Sequence, residues 1–240
     1  MATTFLEIDP STGEPLGTWQ THAPEAIDAA LAVAVEAQRA WAGRSYAERA
    51  KVLYAVAARL EDQAAAFGRL MAQEMGKPLD QGRSEANKCA WVCRHYAENA
   101  EGYLAPTRVG SDASRSYVRA DPLGLVLAIL PWNFPFWQLF RFGAPALMAG
   151  NGVVLEHALN VLGCGDAIAE VFAEAGLPEG LFAHLVLDEA QVAEVIADDR
   201  IHAVTLTGSG RAGSAVAAQA GRHLKKAVLE LGGSDPFIVL

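Results

Sequence analysis

The chain has 240 residues, 52% hydrophobic and 20% charged, a composition that predicts a soluble globular protein and excludes disorder and low complexity. Its 19 basic residues stand against 28 acidic ones, a formal net charge of -9, so the balance favours neither nucleic acid nor an anionic membrane surface as partner. Three cysteines, Cys89, Cys93 and Cys164, are an odd number at ordinary spacings, which argues against a secreted disulfide framework and predicts a cytoplasmic address.

The first residues carry Glu7 and Asp9 where an export signal needs a basic start and an apolar run. The stretch between Arg141 and Glu156 lacks charge but contains Pro145 and Gly150 and falls short of the ~20 residues of a membrane span. From about Pro24, Ile27, Leu31, Ala34 and Val35 recur at helical spacing, and Gly43-Arg-Ser45 ends that helix. Ser45 and Glu48 form a capping box that opens one long helix running through Leu53, Val56, Leu60 and Phe67 to Met71, stopped by Gly76-Lys-Pro78. A third helix is expected from about Gln81 to Tyr103, so the first hundred residues read as helical. Thr107 to Arg119 is short, turn-rich and alternating, with Gly110-Ser-Asp112 between two extended arms, and predicts a projecting β-hairpin.

After Gly124 strands and helices alternate. Leu125–Leu130, Val153–Leu155, Phe182–Leu187, Ala203–Leu206 and Ala227–Leu229 are apolar runs of the kind buried in a parallel sheet. Helical stretches lie between them at about Phe136 to Met148, Gly163 to Glu174, Glu189 to Ala197 and Arg211 to Gly221. This order predicts an α/β fold, a doubly wound parallel sheet that takes its ligand at the carboxyl ends of the strands.

Three segments at those ends can carry chemistry. Gly208-Ser-Gly210-Arg-Ala-Gly213 follows a strand and opens a helix, where glycines let a phosphate approach unpaired helix N–H groups; the plain alternative is a strand-to-helix turn. Glu230, followed by Leu231-Gly-Gly233, is a ribose ligand, a general base or a surface carboxylate. Pro131-Trp-Asn-Phe-Pro135 places Asn133 where its amide can donate to an oxyanion or simply bond the turn.

Together these segments resemble the aldehyde dehydrogenase superfamily, in order and in approximate spacing. Asp9-Pro-Ser-Thr-Gly13 and Gln73-Glu-Met-Gly-Lys-Pro78 agree, and Leu229-Glu-Leu-Gly-Gly-Ser-Asp-Pro-Phe-Ile-Val-Leu240 is most similar to the succinate-semialdehyde dehydrogenase branch. The resemblance implies NAD(P)-dependent oxidation of an aldehyde to its acid through a thiohemiacetal and a thioester on a cysteine. It makes Asn133 an oxyanion ligand and Glu230 the general base, and it assigns Leu130, Pro131, Trp132, Glu156, Thr207, Gly208, Ser209, Gly213, Leu231 and Gly232 to the cofactor. It also divides the chain into an N-terminal helical part (1–106), an oligomerisation-type hairpin (107–120), a Rossmann-like core (121–235) and the first strand of a catalytic domain (236–240).

None of the three cysteines matches the family's nucleophile, which lies beyond the position of Glu230 in a catalytic domain that the chain is expected to lack. The expectation is therefore a cofactor-binding portion that is inactive alone. Alternatives are half of a split enzyme completed by a complementary chain, or a non-catalytic nucleotide-binding or subunit-interaction module. Relatives read Leu-Lys-His-Ala-Ser-Asn where this chain reads Leu155-Glu-His-Ala-Leu-Asn160, so Glu156 replaces the lysine that meets the ribose. The reversed charge predicts NAD over NADP, and Leu159 crowds the same pocket. Phe237 to Leu240, left uncovered, predicts self-association. No metal site is expected.

Overall fold

The first strand of the core lies in the middle of the sheet, and the chain winds outward from it in both directions. The computed structural model describes residues 2–239. Two short strands, β1 (Thr4–Ile8) and β2 (Pro15–Gln20), form an antiparallel hairpin, followed by helices α1 (Pro24–Ala42), α2 (Tyr46–Asp62), α3 (Ala64–Met75) and α4 (Leu79–Tyr103). A second hairpin, β3 (Thr107–Arg108) and β4 (Tyr117–Val118), is held by two residue pairs and stands exposed, as the sequence predicts. Then come β5 (Leu125–Leu130), α5 (Pro135–Met148), β6 (Gly152–His157), α6 (Leu162–Glu174), β7 (Phe182–His184), α7 (Glu189–Ala197), β8 (Ile201–Gly208), α8 (Gly210–Arg222) and β9 (Lys226–Leu231). The five core strands are parallel in the order β7-β6-β5-β8-β9. Among the described residues no helix is long and apolar enough to cross a membrane.

Strand alternation sorts the core into two layers. Ala128, Leu130, Val153 and Leu155 face one layer, where α2 to α6 contribute Leu53, Leu60, Met71, Cys93, Phe136, Phe140 and Ile168. Leu125, Leu127, Val154, Val204 and Leu206 face the other, against Leu31 of α1, Ile196 of α7 and Val216 of α8. Runs such as Leu125–Leu130 are apolar throughout because both faces are covered. The first layer stops short of the sheet's edge. Beside β8 and β9 it leaves an apolar groove of about 370 Å³, walled by Tyr96, Tyr103, Phe142, Leu123 and Val228.

Two sequence expectations need correction. The first hundred residues are not all helical, because β1 and β2 precede α1. Their pattern is disguised: in β1 the residue turned inward is Glu7, while Leu6 and Ile8 point out. The long helix expected from Ser45 to Met71 keeps its Ser45–Glu48 capping box but breaks at Gln63, which takes non-helical angles and donates its side chain to Glu174 of α6. No glycine or proline marks that break; packing across α4 and α6 sets it. Pro236 to Val239, expected to be left uncovered, have no partner strand among the described residues, and Phe237 to Val239 lie exposed; Leu240 is outside the described residues.

The inward glutamate of β1 belongs to a buried carboxyl pair. Trp19 donates its indole N–H to Glu7 at 2.8 Å, and Glu7 lies beside Glu74 of α3, which accepts the backbone N–H of Cys164 near the start of α6 at 3.0 Å. A side chain at Gly163 would overlap the Glu74 carboxyl in its present position, so the glycine leaves room for that carboxyl at the start of α6. Burial, with the neighbouring Glu7, raises the Glu74 carboxyl to about 8. The folded chain thus holds this proton at pH values where an unfolded Glu, ordinarily near 4.3, has lost it. Stability falls as pH rises from the unfolded value towards about 8. Glu74→Gln, which keeps an acceptor for Cys164 and supplies a donor for Glu7, should flatten that fall and melt higher than the parent at pH 8. Thermal melts at pH 5 and pH 8 check it, and parallel slopes for the two proteins would refute the assignment.

Candidate active site at the carboxyl ends of the sheet

Strands β5 and β8 are adjacent, yet the chain leaves them towards opposite edges, so their carboxyl ends form the switch point at which doubly wound sheets generally open a ligand crevice. Ile129 lies level with Glu156 of β6 and Leu206 of β8, and Thr207 lies level with Glu230 of β9. The turn after β5, the turn after β8 and Glu230 therefore emerge at one end of the sheet.

After β8, Ser209 ends the turn and caps α8: its hydroxyl accepts the N–H of Ala212 at 3.2 Å and its carbonyl accepts that of Gly213. A Cβ built at Gly210 would meet no heavy atom, so the helix start is open to an approaching group. The first turn of any helix has N–H groups without intrahelical partners and a positive dipole end. Thr207 and Gly208 are half-buried in the last rungs of β8. Gly213 faces away from this opening, and a Cβ there would overlap the Leu231 side chain. Its hydrogen in place of a side chain leaves room for the Leu231 side chain, which packs against this turn of α8. Gly232 follows the strand in the open.

After β5, Leu130 accepts the N–H of Ala158 through its carbonyl, Pro131 is half-buried, and Trp132 and the Asn133 side chain stand exposed. The backbone beyond them is tied down. Lys77 donates from Nζ to the Asn133 carbonyl at 2.8 Å and pairs with Glu85 of α4, whose other oxygen accepts the N–H groups of Phe136 and Trp137 at 3.0 and 2.9 Å. Buried His157 faces the carbonyls of Leu130 and Pro135 and accepts the N–H of Ala158; burial pushes its imidazole down to about 4, so it stays neutral. A cleft of about 370 Å³ opens beside this turn, lined by Phe134, Trp137, Gln81, Ser84, Glu85 and Lys88.

Glu230 is exposed at the sheet edge, 3.9 Å from the Arg141 guanidinium, a separation and exposure that make the pair weak. Glu156 is half-buried on the face of α1, α7 and α8. Burial, with no compensating hydrogen bond or cation, raises its carboxyl to about 8. Burial thus works against the charged form of this carboxyl as pH falls towards neutrality.

All three thiols are buried. Burial pushes those of Cys89 and Cys164 far above the usual thiol range, and that of Cys93 upward as well. None is a poised nucleophile. Among the described residues no group of three or more His, Cys, Asp or Glu side chains could hold a metal ion. Sequence reasoning missed Lys77, Glu85 and His157. Lys77 and His157 sat inside quoted motifs, but only the fold brings them to the Asn133 turn.

The Gly213–Leu231 contact is testable. Gly213→Val should cost about 1–3 kcal/mol, the usual range for overpacking, and Leu231→Ala in the same chain should restore most of it. Denaturant melts of the two single variants and the double variant read this; strictly additive losses would contradict the contact.

Residues 2–240 match the sequence profile of the aldehyde dehydrogenase family. The chain is 50% identical over 233 residues to a probable NADP-dependent succinate-semialdehyde dehydrogenase of Synechocystis, covering 97% of this chain and 51% of that protein. It is 44% identical over 239 residues to a succinate semialdehyde dehydrogenase, NAD(P)-dependent, of Escherichia coli, covering 100% of this chain and 52% of that one. Among solved structures, succinic semialdehyde dehydrogenase of Streptococcus pyogenes in complex with NADP superposes with a TM-score of 0.94 at 34% identity, covering 98% of this chain and 52% of the other. The chain thus spans about half the length of the relatives it matches. With the open α8 start and the Asn133 turn facing one crevice, the profile match establishes that the chain belongs to the aldehyde dehydrogenase family.

Proposed function

We propose that these 240 residues are the dinucleotide-holding half of an aldehyde-oxidising site of the succinate-semialdehyde type. The observation that carries the reading is the meeting of the Ser209 helix start, the Asn133 turn and Glu230 at one end of the sheet, at the β5/β8 crevice. The donor set fits a dinucleotide: α8 offers unpaired N–H groups with nothing in front of Gly210, which suits a pyrophosphate. Glu156 ends the neighbouring strand, where a ribose would lie. A bound nicotinamide dinucleotide supplies the two-electron oxidant.

The chain's own residues then have separate tasks. Thr207, Gly208 and Ser209 with the start of α8 hold the diphosphate. Leu130, Pro131 and Trp132 flank it from β5, while Leu231 and Gly232 close the β9 side. The Asn133 amide, exposed and free of protein partners, donates to an aldehyde oxygen as negative charge develops on it. Glu230 takes a proton from water in the hydrolytic step. The thiolate comes from a segment or chain other than these residues, because Cys89, Cys93 and Cys164 are buried and protonated. The relatives' names support the succinate-semialdehyde branch. The groove beside β9 and exposed Phe237 to Val239 are apolar surfaces for such a complementary chain or for self-association.

The choice between NAD and NADP follows from Glu156. Its carboxyl is neutral below about 8 and charged above, so repulsion of a 2'-phosphate grows as pH rises. Calorimetric titration should find NAD and NADP bound with similar affinity at pH 7 and NAD favoured several-fold at pH 9. Glu156→Gln should remove the pH dependence of that ratio. A pH-independent ratio in the parent would overturn the Glu156 assignment, and no binding of either dinucleotide at either pH would overturn the functional reading itself.

A further inference from the structure

We propose that Lys77 and Glu85 are positioning residues, whose buried ion pair fixes the direction in which the Asn133 amide is presented. The inference rests on the reading of Asn133 as an oxyanion donor. The two side chains are 6% and 2% exposed, and nearly every polar atom they have is spent on one short turn. Lys77 Nζ gives one proton to the Asn133 carbonyl, another to Glu85, and lies 3.9 Å from the centre of the Phe134 ring. Glu85 returns its second oxygen to the N–H groups of Phe136 and Trp137, the first turn of α5. On the opposite side His157 accepts the Ala158 N–H at Nδ1, which leaves the ring proton on Nε2 to donate to the Pro135 carbonyl at 3.1 Å.

The backbone from Asn133 to Trp137 is thus fixed at successive residues from two sides, while the Asn133 side chain has no protein partner and is exposed. A helix cap alone would need only a neutral acceptor at position 85. The lysine adds the one contact that reaches back past the helix to Asn133 itself. Charged hydrogen bonds are short and directional, and they hold a turn in one geometry better than apolar packing does. The pair therefore sets orientation, with stability a separate matter that a second substitution can balance.

Lys77→Met combined with Glu85→Gln tests this on the full chain. The double variant leaves no unpaired buried charge and keeps an acceptor for Phe136 and Trp137, but removes the donor to Asn133. The expected result is a melting temperature close to the parent's and retained protection of the Phe136 and Trp137 amides, with the Asn133 side-chain amide resonance shifted or broadened. An unmoved Asn133 resonance in a folded double variant would overturn the proposal. Should that variant not fold, Lys77→Arg keeps the charge and the pair but moves the donors along a longer side chain. A shifted Asn133 resonance with intact α5 protection then supports the proposal, and an unshifted one overturns it. Dinucleotide titration of the parent runs alongside. Failure to bind removes the functional reading but leaves the Asn133 comparison able to decide whether the pair positions the turn.

Discussion

Two helices of the core begin against the interior, and the N–H groups of a helix start must find acceptors wherever water cannot reach them. Glu85 of α4 serves the start of α5, and Glu74 of α3 serves the start of α6. Both carboxyls are buried, and an uncompensated charge there is costly. The fold meets that cost in two ways. Lys77 balances Glu85, whereas burial, with Glu7 of the N-terminal hairpin beside it, raises the Glu74 carboxyl so that it keeps its proton. The helical layer thereby does more than cover one face of the sheet: it determines where α5 and α6 start, and with them the turn that presents Asn133.

The same division between compensated and protonated acids explains the electrostatics of the site. Glu156 sits near the end of β6, and burial raises its carboxyl to about 8. Glu230 stays exposed, with only a distant guanidinium beside it. His157 is kept neutral by burial and bonds the backbone at Ala158 and Pro135, so it acts as a structural cross-brace between the end of β6 and the turn after β5. Near neutral pH the crevice thus presents helix dipole and amide donors, with little fixed negative charge beyond Glu230. That is a surface suited to an anionic diphosphate.

The sheet was legible because its signal is local. Leu125–Leu130 and the alternating helices repeat a pattern in which each strand is covered on both faces, and the capping box at Ser45 can be read from two residues. The hairpin β1–β2 is hidden from periodicity because its inward residue is Glu7, which lies beside Glu74, 67 positions away. The break at Gln63 is set by α4 and α6 and leaves no mark of its own. At the site, the glycines and Ser209 announced themselves through turn chemistry. Lys77, Glu85 and His157 did not, since a lysine, a glutamate and a histidine in helical or strand contexts are ordinary until the fold brings them to one turn. The raised carboxyl of Glu156 is likewise invisible in the sequence, because protonation follows burial and burial is a tertiary property.

The central claim is that a dinucleotide binds at the crevice between β5 and β8, with its diphosphate on the start of α8. Backbone resonances followed while NAD is added to the isotopically labelled chain test this directly. The account predicts shifts concentrated at Leu130 to Phe134, at Thr207 to Ala212 and around Glu156 and Glu230, with the groove beside Tyr96 and Phe142 unaffected. Shifts centred on that groove, or none at saturating NAD, would contradict it.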